Sequence, residues 1–207
     1  MGPWPGGEPA WPRDATGEVA EPYDPELLAD GDQRNVVDRY RYWRHEAIVA
    51  DLDGRRHELH IAVENWVHDF NIGSVIRTAN AFNVAAFHIV GKRRWNRRGA
   101  MVTDRYQHEH HHGSVADFCA WARESERPVI AVDNVPGSVP LETYELPLRC
   151  ILVFGQEGPG TSAELLAAAD AIVHITQYGS TRSLNAGAAA AIAMHAWVRA
   201  HAFDQLP

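Results

Sequence analysis

From about residue 57 onward, short apolar runs alternate with longer stretches whose apolar positions recur every three or four residues. The runs 58–63 (ELHIAV), 86–90 (AFHIV), 128–132 (PVIAV), 149–154 (RCILVF) and 171–175 (AIVHI) have the length and composition of strands. Helical spacing falls on 71–82, 114–125, 162–169 and 183–201. In the first of these, Ile72, Val75, Ile76, Ala79 and Phe82 form one apolar stripe. Strands this apolar leave no face for water. The pattern therefore predicts an α/β fold, a parallel sheet flanked by helices.

The N-terminal part reads differently. Residues 1–25 hold six of the twelve prolines and several glycines. Such a segment buries too little to offset the entropy of ordering it. Residues 1–32 are expected to form a flexible acidic arm, and 33–56 a basic helix with its linker. The helix is placed at 33–50 with Asp32 as N-cap. Val36, Tyr40, Trp43 and Ala47 share one face, and Arg34, Arg41 and His45 another. Residues 57–207 make the folded domain.

Charge changes this picture in one respect. The formal net charge of −8 argues against a nucleic-acid partner, but its distribution reverses the argument. Residues 1–33 carry eight acids against Arg13 alone, and the rest of the chain is nearly neutral. Within that neutral body, 92–105 gathers Lys92, Arg93, Arg94, Arg97, Arg98 and Arg105 against Asp104. No run approaches the roughly 18 apolar residues of a membrane helix. The first residues lack the basic-then-apolar pattern of a secretory signal. Cys119 and Cys150 are too few for a disulfide framework or a cysteine zinc site, which fits a reduced, cytoplasmic protein.

Ligands of parallel sheets sit where strands end and loops turn into helices. Three such junctions carry unusual residues. In Asn71-Ile-Gly-Ser-Val-Ile-Arg77, Asn71 suits an N-cap, and Arg77 stands in the second turn of an otherwise apolar helix. Arg77 is either a surface arginine with a snorkelling stem or a functional group. In Phe154-Gly-Gln-Glu-Gly-Pro-Gly-Thr161, three glycines let backbone amides approach a ligand, and Thr161 with Glu164 makes a capping box. Such a loop binds a phosphate, a nucleoside or nothing, and Glu157 would repel a phosphate. The loop matches neither G-x-G-x-x-G nor a Walker sequence, which argues against a dinucleotide-dependent oxidoreductase. The third junction, Gln177 to Met194, opens an alanine-rich helix whose small side chains permit close packing. Ser183 and Asn185 at its start serve as a ligand site or as simple caps.

Taken together and in order, Asn-x5-Arg, Phe-Gly-x-Glu-Gly-x-Gly after a strand, and Ser-Leu-Asn before an Ala-rich helix resemble the SpoU (TrmH-like) family of the SPOUT methyltransferases. The resemblance spans roughly 58–200 and makes 57–207 a SpoU methyltransferase domain. It implies a C-terminal deep trefoil knot in the α/β sheet, which topology rules alone would have excluded. It implies S-adenosylmethionine as cofactor, methyl transfer to a ribose 2′-hydroxyl of RNA, and a homodimer with the site near its interface. By this resemblance, Asn71, Arg77, Glu157, Ser183 and Asn185 are the catalytic set. The cofactor lies against the knot loops, at Val153, Phe154, Gly155, Gly158, Ile175, Gln177, Ser183 and Leu184. The third motif departs from the family where Ala186-Gly187 follows Asn185.

The RNA surface is expected on Arg34 and Arg41 of the N-terminal helix and on Arg93, Arg94, Arg97 and Arg98, with Trp95 stacking on a base. Transfer RNA is favoured over ribosomal RNA because no added RNA-binding domain is evident. The alternative is a catalytically silent RNA-binding protein of the same fold. His108, Glu109, His110, His111 and His112 invite a metal, but consecutive histidines diverge on any regular backbone, whereas structural zinc needs about four convergent ligands. No metal is expected, and RNA contact is the functional role left to that run.

Overall fold

Among the described residues, 1–66 and 71–203 of a computed structural model, the centre of the fold is one sheet of seven strands. They are β1 His57–Asn65, β2 Val84–Gly91, β3 Glu109–His112, β4 Val129–Val132, β5 Val139–Pro140, β6 Cys150–Phe154 and β7 Ala171–His174. Their spatial order is β3-β2-β1-β6-β4-β7-β5, and every neighbouring pair is parallel. The helices are α1 Pro25–Asp30, α2 His45–Asp53, α3 Ile72–Ala81, α4 Val115–Glu124, α5 Ala163–Ala168 and α6 Ala186–His201. The chain divides into two units, Met1–Arg55 and Arg56–Pro207.

Both faces of the sheet are covered, as the unbroken apolar strands require. Along β1, Leu59, Ile61 and Val63 point to one face and pack with Ile72, Val75 and Ile76 of α3 and with Ala190, Met194 and Trp197 of α6. Ala62 points to the other, beside Val153 of β6, Phe118 and Ala122 of α4 and Leu165 of α5. The small residues of α6 serve a close approach: a Cβ on Gly187 would lie 3.3 Å from the Ser74 side chain of α3.

The five strands and four helices expected after residue 57 are all present, with ends shifted by a few residues. The 183–201 helix begins at Ala186, because Asn185 caps it: its Oδ1 accepts from the amides of Gly187 and Ala188. Two local expectations fail. Asn71 makes no side-chain cap on α3. Ser162, not Thr161, caps α5: it directly precedes the helix and its hydroxyl oxygen accepts from the Leu165 amide. Strands β3 and β5 were unforeseen, β3 because its sequence is Glu-His-His-His and β5 because it is two residues long.

β3 gives the histidine run its structural role. His112 reaches inward to His88 of β2, and His88 to His60 of β1, each link 2.9 Å between ring nitrogens. Trp121 of α4 covers the three rings. Each neutral imidazole donates once and accepts once, so a neutral chain is satisfied. Burial, then the positive neighbours Arg127, His110 and Arg149, holds His60 down to about 3. Burial, then the surrounding histidines, holds His88 down to about 2. Among the described residues no cluster of histidine, cysteine or acid is arranged to hold a metal ion.

The N-terminal unit departs most from expectation. No helix spans 33–50; a single 3-10 turn at Asp38–Tyr40 precedes α2. Asp32 is fully buried and caps nothing. Its two oxygens grip the Arg34 guanidinium at 2.9 and 2.7 Å, and it accepts from the Tyr42 amide at 3.0 Å. Burial alone would raise its pKa, but Arg34 and the Tyr42 amide hold it at about 2. The segment expected as a flexible arm closes on this centre. Leu28 is fully buried, Trp4 meets Tyr23 and Tyr42 edge-on, and the Tyr42 hydroxyl donates to the Gly2 carbonyl. Composition understated the aromatic contacts spread among the prolines, which give those turns something to pack on.

Candidate functional site

The carboxyl ends of β6, β4 and β7 lie side by side, and the loops leaving them enclose a cavity of about 680 Å³. Its wall includes Asp133 and Asn134 after β4, residues 154–161 after β6, and His174, Ile175, Gln177 and residues 182–186 after β7. Phe154, Gly155, Gly158, Ile175, Gln177, Ser183 and Leu184 thus converge on one space, although 30 residues of sequence separate the first from the last. Val153 does not line it; that side chain is fully buried on the α4 face of the sheet.

The loop after β6 is tightly built. Gln156 and Gly160 exchange two backbone hydrogen bonds, at 3.1 and 3.0 Å. A Cβ on Gly155 would fall 2.1 Å from the Thr161 nitrogen, so only glycine permits the turn. At the tip, Glu157 joins the residues of the other two junctions. Asn71 Nδ2 donates to Glu157 at 2.8 Å, and Asn185 Nδ2 donates both to Asn71 Oδ1 at 3.0 Å and to Glu157 at 3.1 Å. This explains why Asn71 leaves its helix uncapped: its Oδ1, the atom a cap would use, accepts from Asn185 across 114 positions of sequence, while Nδ2 reaches Glu157 across 86. Asn185 caps α6 with its oxygen and ties the cluster with its nitrogen.

Arg77 stands outside this cluster, exposed on α3, with no hydrogen bond or ion pair among the described residues. Ser183 lies at the cavity rim and is exposed.

The residues expected to meet RNA separate into two groups. Arg93, Arg94 and Arg98 are exposed. Arg97 is exposed but pairs with Asp104 and Glu109 and lies 4.8 Å over the Trp95 ring. Trp95 is no base-stacking platform: it is buried, with Nε1 donating to Glu109 at 3.2 Å. Arg34 and Arg41 are spent internally, Arg34 on Asp32 and the Trp43 carbonyl, Arg41 on the Arg34 carbonyl. A short, proline-flanked segment with one buried acid needs these donors inside.

Sequence reasoning missed Asp133, Asn134 and Arg182 in the cavity wall and Glu64 beneath it. An acid directly after an apolar strand, as in Val132-Asp133, was the available signal. The cavity has the size of a nucleoside-like ligand and is walled by charges of both signs, Arg182 as well as Asp133 and Glu157. Among the described residues, Gln177 Oε1 and Thr161 Oγ1 are buried in its wall without hydrogen-bond partners.

Comparison with known proteins agrees with this geometry. Residues 58–195 match the profile of the SpoU rRNA Methylase family. The chain is 28% identical over 154 residues to the tRNA (guanosine(18)-2′-O)-methyltransferase of Borreliella burgdorferi, covering 70% of this chain and 67% of that protein. It superposes on the A. aeolicus TrmH/SpoU tRNA modifying enzyme with a TM-score of 0.67 and 21% identity, over 76% of this chain and 82% of that one. The AdoMet-bound rRNA methyltransferase from Sinorhizobium meliloti gives a TM-score of 0.63 and 25% identity. That match covers 77% of this chain and 62% of the other, so the chain spans less than two thirds of that relative.

Proposed function

The chain belongs to the SpoU rRNA Methylase family, and from that premise we propose that it methylates a ribose 2′-hydroxyl of structured RNA with S-adenosylmethionine, transfer RNA ahead of ribosomal RNA. The observation that carries this reading is the cavity at the ends of β4, β6 and β7, with the Asn71–Glu157–Asn185 cluster at its edge.

When bound, S-adenosylmethionine would supply an electrophilic methyl group, which passes to the ribose oxygen as the carbon–sulfur bond breaks, S-adenosylhomocysteine leaves and the hydroxyl proton goes to solvent water. Phe154, Gly155, Gly158, Ile175, Gln177, Ser183 and Leu184 would hold it, with Gln177 Oε1 and Thr161 Oγ1, unpartnered among the described residues, available to donors on the adenosine or the amino-acid end. Val153 contributes by fixing the strand from which that loop departs. The two loops, after β6 and after β7, are threaded in this reading as a deep trefoil knot.

A secondary hydroxyl is a weak nucleophile and needs alignment and charge stabilisation. A guanidinium keeps its proton, so Arg77 is no base. It grips the phosphate beside the target ribose with its planar fork and steadies charge developing on the oxygen. Asn71, Asn185, Glu157 and Ser183 set the positions around it. Arg77 lies outside the cluster of its own chain, which favours a site completed across a homodimer interface. RNA runs over Arg93, Arg94, Arg97 and Arg98. The enzyme works in the cytoplasm and needs no metal.

The test is methyl transfer from labelled S-adenosylmethionine to unmodified bulk transfer RNA and, separately, to ribosomal RNA, with Arg77→Ala as control. Label on a ribose of transfer RNA, lost in the variant, supports the proposal. Label in neither pool with cofactor binding intact overturns the activity and favours a silent RNA-binding protein. Absence of cofactor binding overturns the assignment of the cavity.

A further inference from the structure

Beneath the cavity lies a carboxyl group that the proposed chemistry does not use. Glu64, at the end of β1, is 1% exposed. Its Oε2 accepts from the Ser162 amide at 2.7 Å, and its Oε1 from Trp66 Nε1 at 2.7 Å. Ser162 is where the loop after β6 ends and α5 begins. Trp66 is the residue after β1, on the chain that leads to Asn71. Glu64 therefore ties together, from below, the two segments that carry Asn71 and Glu157.

Neighbouring contacts make the tie directional. Trp66 donates its own amide to Gln156 Oε1 at 3.1 Å, inside the loop. Its ring lies against Gly91 of β2, where an added Cβ would come within 2.7 Å of the ring. On the far side of the loop, the Thr161 amide donates to Asp133 at 2.8 Å. Consecutive amides, Thr161 and Ser162, are thus held by two acids, Asp133 just after β4 and Glu64 in β1. Between these anchors the loop is closed by its own Gln156–Gly160 pair, and its tip is met by Asn71 and Asn185 at Glu157.

We propose that Glu64 is a positioning residue for cofactor binding, holding the Gly155–Thr161 loop against the cavity through Ser162 and Trp66. This inference rests on the reading of the cavity as the cofactor site. Both groups facing the carboxylate are N–H donors. Glu64→Gln must turn its NH2 toward one of them, leaving two donors opposed in a dry site.

The measurement is S-adenosylmethionine affinity by calorimetry for the wild-type chain and Glu64→Gln, with KM for cofactor and for RNA measured separately and melting temperatures recorded. Loss of one charge-assisted hydrogen bond predicts a cofactor Kd raised about 10-fold or more, with KM for RNA changed by less than about 3-fold. A lowered melting temperature with unchanged Kd, read where the variant is folded, overturns the proposal. Should Glu64→Gln fail to fold, Trp66→Phe removes one donor and keeps a smaller aromatic ring in its place. It is then expected to raise Kd several-fold, and an unchanged Kd overturns the proposal. No cofactor binding by the wild-type chain overturns the cavity reading itself.

Discussion

Asn185 does two separable things, and Asn185→Asp separates them. The side-chain oxygen caps α6 through the Gly187 and Ala188 amides, while the nitrogen holds Asn71 and Glu157. Aspartate is as good an N-cap as asparagine, and its charge suits a helix N-terminus. The variant therefore keeps the cap, and its melting temperature falls only by what the opened cluster loses, about 2–4 °C. The cluster fares differently. A carboxylate oxygen replaces a donor 3.1 Å from the Glu157 carboxylate. At about 3 Å, like charges repel by about 1 kcal/mol in bulk water and about 5 kcal/mol at an effective dielectric of about 20. The cluster is exposed, which places the cost near the lower figure, and the two lost hydrogen bonds, to Glu157 and to Asn71, add about 1–2 kcal/mol between them. A total of about 2–3 kcal/mol reduces the closed cluster about 30- to 150-fold. Initial rates of methyl transfer at pH 8 should give kcat/KM lower by that order. The deficit should shrink as pH falls, because protonating the introduced carboxyl restores a donor. Asn185→Ala is the contrast, losing cap and donor together, at about 1 kcal/mol and about 2–4 °C for the cap. Wild-type kcat/KM for Asn185→Asp would refute the cluster's role. So would a loss of activity that merely tracks a fall in melting temperature.

Three further outcomes are expected. Arg77→Lys should fall within about 10-fold of Arg77→Ala in kcat/KM, since lysine has no planar fork; near wild-type activity would sink the clamp. Histidines whose folded pKa lies below the unfolded value of 6.5 bind protons more readily when unfolded, so the stability from His60 and His88 is complete above about pH 6.5 and lost as pH falls below it. Each contributes a slope of about 1.4 kcal/mol per pH unit, and His88→Leu should flatten the denaturant-derived stability curve between pH 7 and 5; a wild-type curve already flat there would contradict the neutral histidine chain. Asp32→Ala should cost about 3 kcal/mol in the N-terminal unit by stranding Arg34, read as faster hydrogen exchange over residues 22–45. Because the Asp32 carboxyl is held at about 2, below 3.8, that stability is whole above about pH 3.8 and lost toward pH 2; unchanged exchange in Asp32→Ala at pH 7 would remove it as the unit's anchor.

What could be read along the chain depended on whether the signal was periodic. β1, β2, β4, β6 and β7 are runs of apolar residues, and burial on both faces leaves such runs little else to be. β3 carries no such signal. Glu109-His110-His111-His112 becomes a strand because β2 offers a free edge and His88 a partner for His112. The N-terminal unit shows the opposite error. Helical spacing across 33–50 was present, but Asp32 found two strong partners in Arg34 and Tyr42 and bent the chain around itself. Trp95 was read as surface because arginines flank it, and its indole went to Glu109 inside.

The sequence by itself determined the α/β class, the order of the elements and the three junctions that bear Asn71, Glu157 and Asn185, since each depends on local spacing and on residues adjacent in the chain. Only the tertiary structure decided that these three side chains share one set of hydrogen bonds, that Arg77 stands apart from them, and that Glu64 lies buried under the loop. The reason is geometric. A parallel sheet with crossed strand order puts the ends of β1, β4, β6 and β7 together. A hydrogen bond spanning 86 or 98 positions leaves no periodicity behind it, so its partners appear only once the backbone is placed.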